Sequence, residues 1–136
     1  MKRYLLDTSA LLTLRDNEKG ADLVADLMHQ AQEGKCQCFS CFITLMEIFY
    51  RVWKDENELS GRMAYEGCQS LPLTWIHETK KLLEASAEIK AQNKLSLADA
   101  WIAASAIQEG AILVHKDPEF TSIDCPQIKL PYKTIP

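Results

Sequence analysis

The chain opens on a short apolar run, Tyr4-Leu5-Leu6, that breaks at Asp7-Thr8-Ser9 and resumes as Ala10, Leu11, Leu12 and Leu14. A brief continuous apolar run suits a buried strand of a parallel sheet, and the second group starts a helix. Over residues 17–32, Val24, Leu27, Met28 and Ala31 fall at i, i+3, i+4 and i+7, which predicts a helix stopped at Gly34. Residues 36–42 read as a second strand. The next helix opens at Thr44-Leu45-Met46-Glu47, with Leu45, Ile48, Phe49, Val52 and Trp53 as its apolar stripe, and residues 57–69 form a weaker helical segment. Residues 71–76 read as a third strand, and Pro72 argues for the sheet edge. A helix over 78–92 carries Leu82, Ala85 and Ile89 on one face. Ser96-Leu97-Ala98-Asp99 opens a helix rich in alanine, whose small side chains allow close approach to a sheet, and Gly110 ends it. The apolar run 111–115 predicts a central strand, 128–130 a short last strand, and 131–136 an irregular tail. Strands alternating with helices give an α/β fold with a mostly parallel sheet.

At 136 residues the chain suits one domain, 1–136, and 47% hydrophobic content is enough for a core. The net charge of -4 does not suggest a basic nucleic-acid binder, although metal ions offset carboxylates locally. Only Lys2 and Arg3 precede the first strand, so no signal peptide is expected, and no apolar run reaches membrane-spanning length. The five cysteines are an odd number and nothing points to export, so reduced thiols in a cytoplasmic protein are expected. Cys36, Cys38 and Cys41 invite a zinc reading, but a Cys-x-x-Cys pair with a matching second half is missing. On a strand, Cys36 and Cys38 share a face, where buried thiols behave as small hydrophobes.

Four carboxylates share a context. Asp7 and Asp117 each follow an apolar strand, and Glu47 and Asp99 each sit in the first turn of a helix. If the first and fourth strands are neighbours with crossovers leaving in opposite directions, the gap between them is a topological switch point lined by Asp7 and Asp117. Each residue also has a structural reading. Asp7 is a preferred helix cap, Thr44-x-x-Glu47 and Ser96-x-x-Asp99 resemble capping boxes, and Asp117-Pro118 is a good turn start. Four carboxylates at one edge would repel one another without a cation, and hard oxygen donors suit Mg²⁺ or Mn²⁺.

Four ordered motifs carry a family resemblance: Leu6-Asp7-Thr8-Ser9-Ala10-Leu11-Leu12, Thr44-Leu45-Met46-Glu47, Leu97-Ala98-Asp99-Ala100-Trp101-Ile102, and Leu113-Val114-His115-Lys116-Asp117-Pro118-Glu119-Phe120. Together they span nearly the whole chain, which resembles the PIN-domain nucleases, in particular the VapC-type toxins. The resemblance implies a three-layer α/β sandwich with strand order 3-2-1-4-5 and metal-dependent cleavage of RNA. It aligns Asp7, Glu47 and Asp99 with the family's acidic triad, Asp117 with a fourth, more variable acid, and Ser9 with a polar position near the metal. His115 departs from the Thr or Ser common at its position, and a structural role suits it better than that of a general base. The expected protein is a Mg²⁺- or Mn²⁺-dependent endoribonuclease and a homodimer, held in check by a small antitoxin. Glu119 is a weaker candidate ligand, and Arg51, Lys54 and Arg62 could rim the site for phosphates. Two alternatives from other classes are a PIN-like module that binds RNA or protein without cutting and a phosphotransfer domain. The latter fits poorly: a dehalogenase-type phosphatase needs Asp where Ser9 stands, and a receiver needs an Asp near the end of the third strand, which reads Thr74-Trp75-Ile76.

Overall fold

The computed structural model describes residues 1–131, so all of the tail beyond Pro131 lies outside the described residues. β1 (Arg3–Leu6) lies mid-sheet, in parallel between β2 (Gln37–Cys41) and β4 (Ile112–His115). β3 (Thr74–Ile76) pairs with the far side of β2 and β5 (Gln127–Lys129) with that of β4, giving the order β3-β2-β1-β4-β5 with every pairing parallel. Six helices connect these strands: α1 (Thr8–Arg15), α2 (Ala21–Gln32), α3 (Phe42–Asp55), α4 (Glu58–Cys68), α5 (Lys80–Gln92) and α6 (Leu97–Gln108).

Alternation along the strands sorts the apolar residues into two cores, because successive side chains point to opposite faces. Leu5 and Leu113 pack with Leu82 of α5 and with Ala100, Ile102, Ala103 and Ala106 of α6. Tyr4, Leu6 and Val114 pack on the other face with Leu11 of α1, Val24 and Leu27 of α2, and Ile48 and Val52 of α3. Helix, sheet and helix thus make three layers. The alanines keep α6 narrow, so it sinks against the sheet and is buried almost all round.

Most boundaries shift by a residue or two from those the pattern predicts, and three differences have a clear local cause. The second helix begins at Ala21, not at residue 17, because Asn17 (φ 50°) and Gly20 (φ 102°) adopt left-handed conformations that break it. The third strand does lie at the edge but starts at Thr74, after a tight turn in which the Leu73 N–H donates to the Leu71 carbonyl at 2.7 Å. β2 runs into α3 with no connecting loop: Cys41 is the N-cap and Phe42 the first helical residue. Thr44 is therefore inside the helix, and Glu47 stands in its second turn, not its first. The capping-box reading of Thr44 and Glu47 fails for that reason.

Candidate active site

The chain leaving β1 crosses to β2, and the chain leaving β4 crosses to β5 in the opposite direction. The carboxyl ends of β1 and β4 therefore flank a crevice of the kind in which open α/β sheets bind ligands. A cavity of about 640 Å³ opens there, and Asp7, Glu47, Asp99 and Asp117 all line it, together with Ser9 and Glu119.

Asp7 caps α1, its Oδ1 accepting the Ala10 N–H at 2.8 Å. The Ser9 hydroxyl donates back to the same carboxylate at 2.7 Å and accepts the Lys116 N–H at 2.9 Å, which ties the β1 end to the segment after β4. Glu47 reaches the crevice from α3, and its Oε1 accepts from the Thr8 hydroxyl at 2.6 Å. That hydroxyl lies 3.0 Å from the Thr44 hydroxyl. Asp117 caps a 3₁₀ turn (Pro118–Ser122), accepting the Glu119 N–H at 2.9 Å.

Asp99 is only partly the cap its spacing suggests. Ser96 caps α6 and accepts the Asp99 N–H at 3.1 Å, but the Ser96 N–H goes to Glu119 Oε2 at 3.2 Å, across 23 residues of sequence. The Asp99 carboxylate turns to the crevice instead. Asp99, Asp117 and Glu119 each offer an oxygen, all within 4.8 Å of one another. Glu119 thus joins the cluster more closely than its motif position indicates, since a tertiary contact places it.

Burial dominates the electrostatics. It pushes the Asp7 carboxyl up to about 7, with the charges of Asp117 and Glu47 adding to the rise and the bonds from Ser9 and Ala10 opposing it. Asp99 is also raised well above the carboxylate range, first by burial, then by its contacts with Asp117 and Glu119 and by the charges of Asp117 and Asp7. Carboxylates crowded this closely ionise together only beside positive charge. The donors are all oxygens, and neither thiol nor imidazole lines the cavity, so the set fits a hard divalent cation.

Arg51, one turn beyond Glu47, and Lys116 also line the crevice. Lys116 sits 3.5 Å from Glu18. Arg62 belongs elsewhere, on α4, with its guanidinium 5.1 Å from the Phe49 ring centroid. Lys54 is not among the lining residues. His115 is buried, and burial lowers its pKa. Its Nδ1 accepts the Asp117 N–H at 3.1 Å, which puts the neutral ring's proton on Nε2, 2.8 Å from Gln127 Oε1. Gln127 Nε2 in turn donates to the Phe120 and Ile123 carbonyls at 2.8 and 3.0 Å. Both ring nitrogens are thus engaged in holding the loop that carries Asp117.

The fold and crevice define an α/β protein with an oxygen-only acidic site at its topological switch point. A model of the PIN domain matches residues 4–125, and the chain belongs to that family. Its fold is similar to that of VapBC2 from Rickettsia felis, crystallised with a DNA fragment from the promoter (TM-score 0.76, 20% identity, covering 95% of this chain and 99% of that one). It is also similar to a toxin–antitoxin complex from Klebsiella pneumoniae (TM-score 0.66, 26% identity, 93% and 96% covered). A third similar structure is VapC20 of Mycobacterium tuberculosis, a sarcin–ricin loop cleaving toxin (TM-score 0.71, 16% identity, 93% and 98% covered). No curated protein matches the sequence. Among the described residues, no helix is long and apolar enough to cross a membrane.

Proposed function

We propose that the chain is a single-domain, Mg²⁺- or Mn²⁺-dependent endoribonuclease of the VapC type, acting in the cytoplasm as the toxin of a type II toxin–antitoxin pair. The observation that carries this reading is the convergence of Asp7, Glu47, Asp99 and Asp117 on one crevice, with Glu119 beside them. These carboxylates would hold one or two cations. Such a cation would supply Lewis-acid polarisation of the phosphoryl group and would lower the pKa of water, providing a nucleophile for attack at phosphorus. Thr8 fixes the reach of Glu47, and Ser9 fixes Asp7 against the Lys116 backbone. Arg51 at the crevice is placed to meet a phosphate of the RNA backbone. The likeness to the toxin that cleaves the sarcin–ricin loop supports RNA as substrate.

Incubation of the purified chain with a panel of RNAs tests this. Cleavage is expected with Mg²⁺ or Mn²⁺, lost in EDTA and lost in Asp99→Asn; full activity in excess EDTA, or in Asp99→Asn, refutes it.

The likeness to toxin–antitoxin complexes supports a small protein partner. An arginine from that partner, whose planar fork pairs with carboxylates, would block the acidic crevice; a complex with undiminished RNA cleavage would refute this. Exposure of Met46, Tyr50 and Trp53 on α3, beside the face it buries, supports a homodimer. Light scattering that gives a monomer at high micromolar concentration would count against it.

A further inference from the structure

The segment between β4 and β5 carries two of the crevice carboxylates, and a 3₁₀ turn of five residues holds them: Asp117 caps it and Glu119 lies within it. Gln127, the first residue of β5, stands in register with Leu113 of β4, so its side chain shares a face with Leu113 and His115. Its partners dictate how its amide is turned. The Phe120 and Ile123 carbonyls, 2.8 and 3.0 Å from Nε2, can only accept, so the amide nitrogen faces them. Oε1 is left for His115 Nε2 at 2.8 Å, which must therefore donate. From the other end, the Asp117 N–H can only donate, so His115 Nδ1, 3.1 Å away, is bare. Both ends of this chain of bonds demand the same neutral tautomer. The Phe120 ring meets the imidazole edge-on at 4.9 Å and closes its flank.

We propose that Gln127 is a positioning residue of the acidic crevice, acting through the His115 ring to fix Asp117 and Glu119 for a cation of Mg²⁺ size and so to discriminate it from Ca²⁺. This rests on the cation site proposed above. Mg²⁺ demands near-ideal octahedral oxygens at ~2.0–2.1 Å, whereas Ca²⁺ accepts a looser shell at ~2.3–2.6 Å, so rigidity in the ligand segment favours the smaller ion. The other acids have regular structure behind them: Asp7 ends β1 and caps α1, Glu47 stands on α3 and Asp99 on α6. Asp117 and Glu119 depend on the 3₁₀ turn, and their oxygens lie within 4.8 Å of one from Asp99. The two also move together. The Asp117 amide is held by His115, and Asp117 Oδ1 accepts the Glu119 N–H at 2.9 Å, so a shift of that amide displaces both carboxylates. A methionine at 127 matches the length of glutamine but takes away the partner of His115 Nε2 and the donor to the two loop carbonyls.

Mn²⁺ binding to the full chain, read from the EPR signal of the free ion and displaced by Mg²⁺ or Ca²⁺, tests this without reference to cleavage. In Gln127→Met the Mg²⁺ affinity is expected to fall by roughly tenfold or more, as for other outer partners of metal ligands, and that of Ca²⁺ by less than about threefold. The losses in Gln127→Met and His115→Phe should not add, since both act through one chain of bonds. Leu82→Ala, a core truncation on α5, should lower stability and leave the ratio of Mg²⁺ to Ca²⁺ affinity unchanged. An unchanged ratio in Gln127→Met, additive losses, or the same shift in Leu82→Ala overturns the proposal and leaves the cation site standing. A parent that binds none of the three ions overturns the cation site, and this proposal with it. Nitrogen NMR of His115 in the parent at pH 8 is independent of whether the variants fold: a protonated Nε2 and a bare Nδ1 are expected, and the opposite tautomer or a charged ring refutes the assignment.

Discussion

Replacing Asp7 with asparagine separates the metal-site reading from the helix-cap reading through stability alone. The asparagine oxygen can still accept the Ala10 N–H, so the cap persists, but one buried charge is removed. In the folded chain the Asp7 carboxyl is raised from 3.8 to about 7, mainly by burial. The folded state therefore holds a proton that the unfolded state has lost between these two values. Stability without metal must fall as pH rises through this window, by about 1.4 kcal/mol per unit, and level off above it. The whole window amounts to roughly 4 kcal/mol from Asp7, and the raised Asp99 acts in the same direction. Asp7→Asn escapes its share. In EDTA at pH 8 it is expected to be more stable than the parent by a few kcal/mol, on the order of 10 °C in Tm; at pH 4 the two should converge. Mg²⁺ should then stabilise the parent and narrow the difference, because a ligand that binds only the folded state raises stability. Urea melts at both pH values, with EDTA and with Mg²⁺, measure all of this. If Asp7→Asn is less stable than the parent at pH 8 in EDTA, the carboxylate is a stabilising cap and the reasoning fails.

Two other substitutions test neighbouring parts of the structure. Gly61→Ala places a Cβ 2.7 Å from the Phe49 carbonyl oxygen, where backbone must move, so α3 and α4 should separate at a loss of about 1–3 kcal/mol; an unchanged urea midpoint would refute the close approach of the two helices at this position. Glu119→Gln keeps an acceptor for the Ser96 N–H but removes a charge from the cluster. The Mg²⁺ concentration for half-maximal RNA cleavage is expected to rise roughly tenfold, and an unchanged metal titration would exclude Glu119 from the ligand set.

The sequence displays Asp7 and Asp117 clearly, because each ends an apolar run short enough to be a strand. Leu5 and Leu113 against Leu6 and Val114 show the two-faced burial that makes such runs continuous rather than alternating. The strand order is less visible. Apolar runs identify strands, whereas 3-2-1-4-5 rests on the family resemblance. Glu47 does line the crevice, but its local spacing suggests a different role. Thr44-x-x-Glu47 has the spacing of a capping box, but β2 meets α3 without a loop and moves the cap three residues upstream to Cys41. Glu119 is the residue that local spacing undervalues. Its link to the cluster is the Ser96 amide, 23 residues away in sequence.

Capping and cation binding are compatible because a carboxylate has about four lone-pair sites and a cap uses one or two. Asp7 accepts from Ala10 and Ser9, and Asp117 from the Glu119 amide; these bonds orient both carboxylates at the crevice and leave acceptor capacity facing it. Asp99 goes further. Its own N–H takes the Ser96 cap, while Glu119 takes over the Ser96 amide that a complete capping box would have assigned to Asp99. A residue serving only as a cap would gain nothing from a second acid displacing it. Relieving Asp99 of that bond turns its carboxylate toward Asp117 and Glu119, where like charges crowd and burial raises its pKa. The arrangement opposes folding in the absence of a cation, and a cation held there would reverse the sign of that contribution.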